Sequence, residues 1–284
     1  MYTVFIDGKE GTTGLRIHSR LAERADIRIV TLPEELRKDR EARRKALNEC
    51  DVAFLCLPDK AAVEAVELIE NPDVRVLDTS TAHRTAPDWV YGFPELSEER
   101  RERIRKAKRL AVPGCHASGF ISLIAPLRAD GILNSSERLC CTSVTGYSGG
   151  GKKMIAQYED TQRSAGLDAP RQYALGQQHK HLREMACICA LDDHPAFSPI
   201  VGDYYSGMTV TVPLFADMLA PGKGAEDIAA SYAARYRGPV VSVNESPDDG
   251  GFISGNDLAG KDSMEVSVAG CADRLLLISR FDNL

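Results

Sequence analysis

A cysteine at position 115 stands where a thiol can be made reactive. Pro113-Gly114 closes one element, and Phe120-Ile121-Ser122-Leu123-Ile124-Ala125-Pro126-Leu127 reads as the core face of a helix that opens at the cysteine. In the first turn of a helix the backbone N–H groups lack partners and the positive end of the dipole is near. Both favour thiolate over thiol, and the thiolate is the nucleophile. The same pattern suits a buried structural cysteine in a strand-to-helix turn, so Cys115 alone leaves two readings open.

Three other stretches carry groups that such a nucleophile would need. His179-Lys180-His181-Leu182-Arg183-Glu184-Met185 packs two imidazoles, two cations and a carboxylate into seven residues. One imidazole, His179 or His181, could serve as acid/base, and Glu184 could orient it or hold substrate. An exposed polar patch is the competing reading; a metal site would need further ligands, and none is expected. Asp78-Thr79-Ser80-Thr81-Ala82-His83-Arg84 follows a strand, and Arg84 could pair with a carboxylate or phosphate. Thr145-Gly146-Tyr147-Ser148-Gly149-Gly150-Gly151-Lys152 ends another strand in a loop read as flexible and rich in donors. It resembles a phosphate cradle without Walker spacing, and a hairpin-like connection is its alternative.

The elements that position these groups fall into two textures. Val4–Asp7, Ile27–Thr31, Asp51–Leu57 and Val74–Asp78 read as short strands, separated by helical patterns over Leu15 to about Asp26, Glu34 to about Leu47 and Ala61–Ile69. That alternation predicts an α/β, doubly wound parallel sheet over residues 1–115. Gly8-x-x-Gly11-Thr12-Thr13-Gly14 joins the first strand to the first helix, where glycines let a backbone approach a pyrophosphate. No acid stands at the tip of the second strand to take a ribose hydroxyl. Arg37 and Lys38 lean the reading toward a 2′-phosphate, with Glu34 and Glu35 as near. After Cys115, β-rich runs at 139–145, 207–214, 263–269 and 274–279, with one clear helix at 225–236, predict an α+β domain over 116–284 on a mixed, mostly antiparallel sheet. The basic run Arg100 to Arg109 reads as the solvated face of a helix.

With 43% hydrophobic and 27% charged residues in 284, the composition is that of a globular chain, and a net charge of −6 gives no pull toward nucleic acid or acidic membranes. No run is apolar enough to span a bilayer, and the amino terminus enters a strand without a cleavable leader. All eight cysteines are therefore expected to be reduced in a cytoplasmic protein, with Cys56, Cys140, Cys141 and Cys271 as small core residues.

Taken together, the glycine turn, Pro113-Gly114-Cys115, Ser148-Gly149-Gly150-Gly151-Lys152 and His179-x-His181-x-x-Glu184 resemble the N-acetyl-γ-glutamyl-phosphate reductase family in its shorter bacterial type, within the semialdehyde dehydrogenases. Asp78 to Arg84 and Tyr91-Gly92-Phe93-Pro94-Glu95-Leu96 look like the same group, and the motifs run in the family's order along essentially the whole chain. The resemblance implies reduction of the small molecule N-acetyl-γ-glutamyl phosphate by NADPH in arginine biosynthesis, through a cysteine thioester. It implies Cys115 as nucleophile, His179 and His181 as the paired histidines, and Gly8, Gly11, Thr12, Thr13 and Gly14 at NADP. Ser148, Gly149 and Gly150 would lie near cofactor and substrate, Arg84 and Glu184 at the substrate, in a homodimer or homotetramer. His116-Ala117-Ser118-Gly119 departs from the tyrosine, proline and threonine of many members. Relatives continue past the position of Leu284 into a glycine-rich stretch and a helix that pack on the cofactor domain, so the resemblance leaves full cofactor affinity, and activity, of this chain open. Aspartate-semialdehyde dehydrogenase shares the chemistry implied; a non-enzymatic NADP-binding protein and a cysteine hydrolase are more distant readings.

Overall fold

The structure, a computed structural model, describes residues 1–284, which divide into two compact units: Met1–Pro94 with Glu99–Gly114, and Glu95–Glu98 with Cys115–Leu284.

The first unit runs β1 (Tyr2–Asp7), α1 (Thr12–Ala22), β2 (Ile27–Val30), α2 (Arg40–Glu49), β3 (Val52–Leu55), α3 (Asp59–Glu67), β4 (Arg75–Asp78), β5 (Val90–Tyr91), α4 (Glu98–Lys106) and β6 (Arg109–Ala111). Its six strands lie in the order β2-β1-β3-β4-β6-β5, all parallel. A strand covered on both faces is apolar along its length, and β1 shows this: Val4, Phe5 and Ile6 are all buried. β3 and β4 alternate instead, with Ala53, Leu55 and Val76 buried and their neighbours half-buried. The order reverses between β1 and β3, and the carboxyl ends of strands flanking such a reversal form a ligand crevice.

Two boundaries differ from the sequence reading. The charged helix begins at Arg40 rather than Glu34, because Asp39 caps it by accepting from the Ala42 amide at 2.8 Å. Residues 33–39 form successive turns instead, closed by Leu36 N to Pro33 O and Asp39 N to Leu36 O. The basic run is helical only to Lys106; Arg109 opens β6 and donates to the Val74 carbonyl at 3.0 Å.

The second unit runs α5 (Cys115–Ala129), β7 (Cys140–Gly146), α6 (Gly151–Glu159), β8 (Arg171–Gln172), α7 (Leu182–Cys189), β9 (Ala196–Gly202), β10 (Met208–Phe215), α8 (Ala225–Arg235), β11 (Val241–Val243), β12 (Met264–Gly270) and β13 (Arg274–Phe281). Its seven-stranded sheet is ordered β11-β12-β13-β10-β7-β9-β8, antiparallel except at β11/β12 and β7/β9. The sheet is therefore mixed and mostly antiparallel. Sequence reading missed β9 because Pro199 interrupts it, and α6 and α7 because both are short.

Helix α5 is the centre of this unit. It is apolar nearly all round, the pattern of a helix buried on every side, and Ala117, Phe120, Ile121, Leu123, Ile124 and Leu127 have no exposed surface. Gly119 lets it sit against the sheet: a Cβ there would lie 2.4 Å from Val210 Cγ2. Pro126 lacks the N–H that would bond the Ser122 carbonyl one turn back. The Tyr236 hydroxyl fills that vacancy at 2.6 Å, and Tyr232 donates to the adjacent Leu123 carbonyl at 2.7 Å. The proline is thereby accommodated without an orphaned buried acceptor, and α8 is tied to α5.

The cysteines correct one expectation. Cys141 is buried, but Cys140 and Cys271 are exposed and Cys56 is half-buried. Cys140 and Cys141 are successive residues of β7, so the pleat turns one outward when it buries the other. Cys271 lies in the turn between β12 and β13.

Candidate functional site

In the first unit the turn after β1 is built by main-chain contact. Gly8 has φ +87°, and a Cβ there would lie 2.2 Å from the Cys56 carbonyl oxygen, just past β3. A Cβ on Gly14 would lie 2.6 Å from the Gly8 carbonyl oxygen. These two glycines are therefore steric requirements of the turn. Gly11 is different: the nearest atom to a Cβ there is 3.6 Å away, and the residue is exposed. It precedes α1, whose first ladder bond runs from Leu15 N to Gly11 O. The amides of Thr12, Thr13 and Gly14 precede that bond, and the first turn carries no acid. Open space beside Gly11 and three amides ahead of the first ladder bond, at a positive helix end, fit a dinucleotide pyrophosphate. Arg37 pairs with Glu34 at 3.1 Å on the surface.

The carboxyl end of β4 carries a polar loop in the same unit. Asp78 is fully buried and accepts from the Ser80 amide (2.9 Å), the Ser80 hydroxyl (2.7 Å) and His83 Nδ1 (2.6 Å). The His83 ring stacks on Trp89 at 4.1 Å. Arg84 is also buried; its Nε donates to the Val112 carbonyl and Nη2 to the Thr79 carbonyl, both at 2.9 Å. The guanidinium thus fastens the loop after β4 to the segment after β6.

In the second unit Cys115 is the first residue of α5 and half-buried. Next to it the chain places an imidazole that sequence reading passed over. His116 is 3% exposed, with Nδ1 at 2.7 Å from Ser143 Oγ on β7 and Nε2 at 2.7 Å from the Tyr173 hydroxyl just past β8. The His116 ring lies 5.5 Å from both His179 and His181, which lie 4.7 Å from one another, and Phe197 closes the group at 5.3 Å from His116. His179, His181 and the start of α5 are therefore together, and the surface reading of the two histidines is replaced by a packed cluster. Burial, with the neighbouring His179, lowers the His116 pKa to about 3, so that ring is neutral. Burial, and more weakly the charge of Cys115, raises the Tyr173 phenol above its ordinary value. The signal available in the sequence was simply a third histidine adjoining the thiol.

His181 and Glu184 are 5% and 1% exposed, with Nε2 and Oε1 3.9 Å apart across the first turn of α7. The His181 amide donates to His179 Nδ1 at 3.2 Å, so a neutral His179 ring carries its hydrogen on Nε2.

The glycine-rich segment after β7 is an ordered element, correcting the flexible loop expected. Tyr147–Gly150 forms a 3-10 turn leading into α6 through Gly151 at φ +74°. Gly146 N, Tyr147 N and Ser148 N donate to the carbonyls of Gly207, Tyr204 and Tyr205, each at 2.9 Å. Ser148 is wholly buried; its hydroxyl accepts from Asn283 Nδ2 at 3.0 Å, while Asn283 Oδ1 accepts from the Gly207 amide at 2.7 Å. Gly149 and Gly150, unlike Ser148, are exposed.

Two family models match the chain, the semialdehyde dehydrogenase NAD binding domain over residues 3–107 and the semialdehyde dehydrogenase dimerisation domain over 115–283. Among curated proteins, the N-acetyl-gamma-glutamyl-phosphate reductase of Sinorhizobium fredii is 43% identical over 286 residues, covering 99% of this chain and 93% of its own. That of Rhizobium meliloti is 44% identical over 289 residues with the same coverage. Solved structures share the fold: aspartate semialdehyde dehydrogenase II from Vibrio cholerae superposes with TM-score 0.70 at 17% identity, covering all of this chain and 93% of that one. The Francisella tularensis aspartate semialdehyde dehydrogenase gives 0.73 at 13%, covering all of this chain and 96% of that one. No helix is long and apolar enough to cross a membrane.

Proposed function

We propose that this chain, which belongs to the N-acetyl-γ-glutamyl-phosphate reductase family, reduces N-acetyl-γ-glutamyl phosphate with NADPH to N-acetylglutamate semialdehyde and inorganic phosphate, a step of arginine biosynthesis. The observation that supports this most directly is a half-buried thiol on the first residue of α5, followed at once by a cluster of three imidazoles.

The Cys115 thiolate attacks the acyl carbon. The sulfur–carbon bond forms, the carbon–oxygen bond to phosphate breaks, and a thioester remains. An imidazole of the His179/His181 pair delivers the proton that leaves with phosphate. NADPH, when bound, supplies the hydride that reduces the thioester carbon. Amides at the start of α5 hold the resulting oxyanion, which collapses to the aldehyde and returns the thiolate. One hydride and one proton are consumed for each phosphate released. Glu184 acts through His181, whose Nε2 its carboxylate faces at 3.9 Å. Gly8, Gly11, Thr12, Thr13 and Gly14 cradle the pyrophosphate of NADP. Gly149 and Gly150 present backbone donors to substrate and cofactor, held in shape by Ser148. Arg84 contributes to substrate binding through the loop it fastens. The chain works in the cytoplasm as a homodimer or homotetramer assembled through its dimerisation domain.

The test is NADP- and phosphate-dependent oxidation of N-acetylglutamate semialdehyde, with aspartate semialdehyde as the competing substrate. Turnover of the first, abolished by thiol alkylation, is expected. Preference for the second, or turnover that survives alkylation, overturns the proposal.

A further inference from the structure

Strand β8 is two residues long, and the reason it stops lies on its neighbour. The antiparallel register sets Arg171 against Val201 and Gln172 against Ile200. The Tyr173 amide still donates to the Pro199 carbonyl at 3.0 Å, but a proline has no N–H to give back. The same register would set Leu175 against Phe197, yet Leu175 is 74% exposed. A side chain takes its place on the ladder. Gln177 Oε1 accepts from the Phe197 amide at 2.8 Å, and Gln177 Nε2 donates to the Phe197 carbonyl at 2.7 Å. A primary amide offers the acceptor and the donor that a paired strand residue would offer. Between the two points the main chain folds into a turn, closed by Gln177 N to Ala174 O at 3.0 Å, with Ala174 and Gln177 both at φ +53°. Residues other than glycine rarely adopt that conformation, and it persists where surrounding contacts fix it.

We propose that Gln177 is a positioning residue for the His179/His181 pair, its amide standing in for a strand residue at Phe197 so that the main chain leaves the sheet and carries both imidazoles to the start of α5. The inference rests on the reductase reading for the proton transfer those imidazoles perform. A series of contacts joins the amide to them. Gln177 is exposed while Phe197 is 1% exposed, so the clamp reaches from the surface into the core. The Phe197 ring packs against His179 at 5.2 Å and against His116 at 5.3 Å. His179 lies 4.7 Å from His181 and 5.5 Å from His116, the second residue of α5. His179 is two residues beyond Gln177, so anchoring one fixes where the other emerges. A strand continued in the β8 register would reach Ala196, the first residue of β9, at Gly176, and would leave His179 beyond the end of β9. Gln177 has no part in the chemistry itself. It sets where the acid/base stands, and a misplacement of about 1 Å costs on the order of a hundredfold in rate.

Three measurements test this on the full chain. First, Gln177→Leu is expected to lower kcat for the semialdehyde by about ten- to a hundredfold with KM changed by less than about threefold. Gln177→Glu keeps the shape and the acceptor but sets a carboxylate oxygen against the Phe197 carbonyl, and is expected to lose kcat in the same way; it carries the test should the leucine variant fail to fold. Second, in a His179→Asn/His181→Asn background, Gln177→Leu is expected to cost less than about twofold further, since the groups it positions are gone. Third, nuclear Overhauser contacts between the Phe197 and His179 rings are expected in the wild type and weakened in both Gln177 variants. Unchanged kcat, an equal loss with and without the two histidines, or undiminished ring contacts overturns the proposal. Should the wild type fail to turn over the semialdehyde, the reductase reading fails, and the ring contacts still decide this one.

Discussion

The glycine turn of the first unit and the thiol cluster of the second solve the same problem with opposite materials. After β1, the turn is shaped by the main chain: Gly8 and Gly14 are small because backbone atoms stand 2.2 and 2.6 Å from where a Cβ would be. At the head of α5, side chains do the work, and His116, Tyr173 and Ser143 hold one another by 2.7 Å hydrogen bonds. A main-chain site tolerates few substitutions for reasons of space. A side-chain site tolerates few for reasons of hydrogen-bond direction and charge. The two should therefore fail differently when mutated.

The sharpest break comes at Cys115. Cys115→Ala is expected to reduce turnover by more than about a thousandfold, the scale of losing a covalent nucleophile. NADP affinity, read by quenching of intrinsic fluorescence, should stay within about twofold. Loss of NADP binding in that variant would show that the two sites are not separable as described. Next come the paired histidines. His179→Asn and His181→Asn are expected to differ, with one losing about a hundredfold or more in kcat and the other less than about tenfold. Two equal and small losses would remove the acid/base from this pair.

The glycine turn itself gives an internal contrast. Gly8→Ala should lower thermal stability by more than about 2 kcal/mol, since it adds a left-handed strain to a clash with the Cys56 carbonyl. Gly11→Ala should leave the melting temperature within about 2 °C, because the space there is open, and should instead weaken NADP binding if the proposed pyrophosphate cradle is at this turn. A Gly11→Ala protein that binds NADP normally would move the pyrophosphate elsewhere.

The smallest effect concerns pH. His116 is neutral in the folded chain down to about pH 3, whereas an unfolded histidine protonates near 6.5. The unfolded state thus binds more protons across that window. Stability from this group is complete above pH 6.5 and falls as pH drops, by at most about 1.4 kcal/mol per pH unit. Calorimetry of His116→Gln should show a shallower acid slope than the wild type.

Much of the first unit could be read from the sequence because local rules govern it: short apolar strands, intervening helical patterns and a glycine turn at the first crossover. The reading failed where a local signal was ambiguous. Glu34 to Lys38 has a helical composition, yet Asp39 is the better cap and Pro33 favours turns. In the second unit, Cys115 and the His179/His181 pair were visible as residue types, but their neighbours were not. Tyr173 lies 57 residues from His116 and Asn283 lies 135 from Ser148, and no periodicity records such pairings. Ser148 in particular reads as a ligand-facing serine and is in fact turned inward.

That inward turn has a kinetic consequence. The 3-10 turn at Tyr147–Gly150 owes its shape to partners at Tyr204, Tyr205, Gly207 and Asn283 rather than to its own neighbours. Closing a loop of 135 residues carries an entropy cost that is met only after β10 and β13 have paired. Helix α5 draws on partners just as distant, Val210 and Phe281 in the sheet and the hydroxyls of Tyr232 and Tyr236, so the thiol and the glycine turn take their places together. The native alkylation rate of Cys115 and the activity should therefore recover together during refolding, and Asn283→Ala should make activity lag behind the alkylation rate.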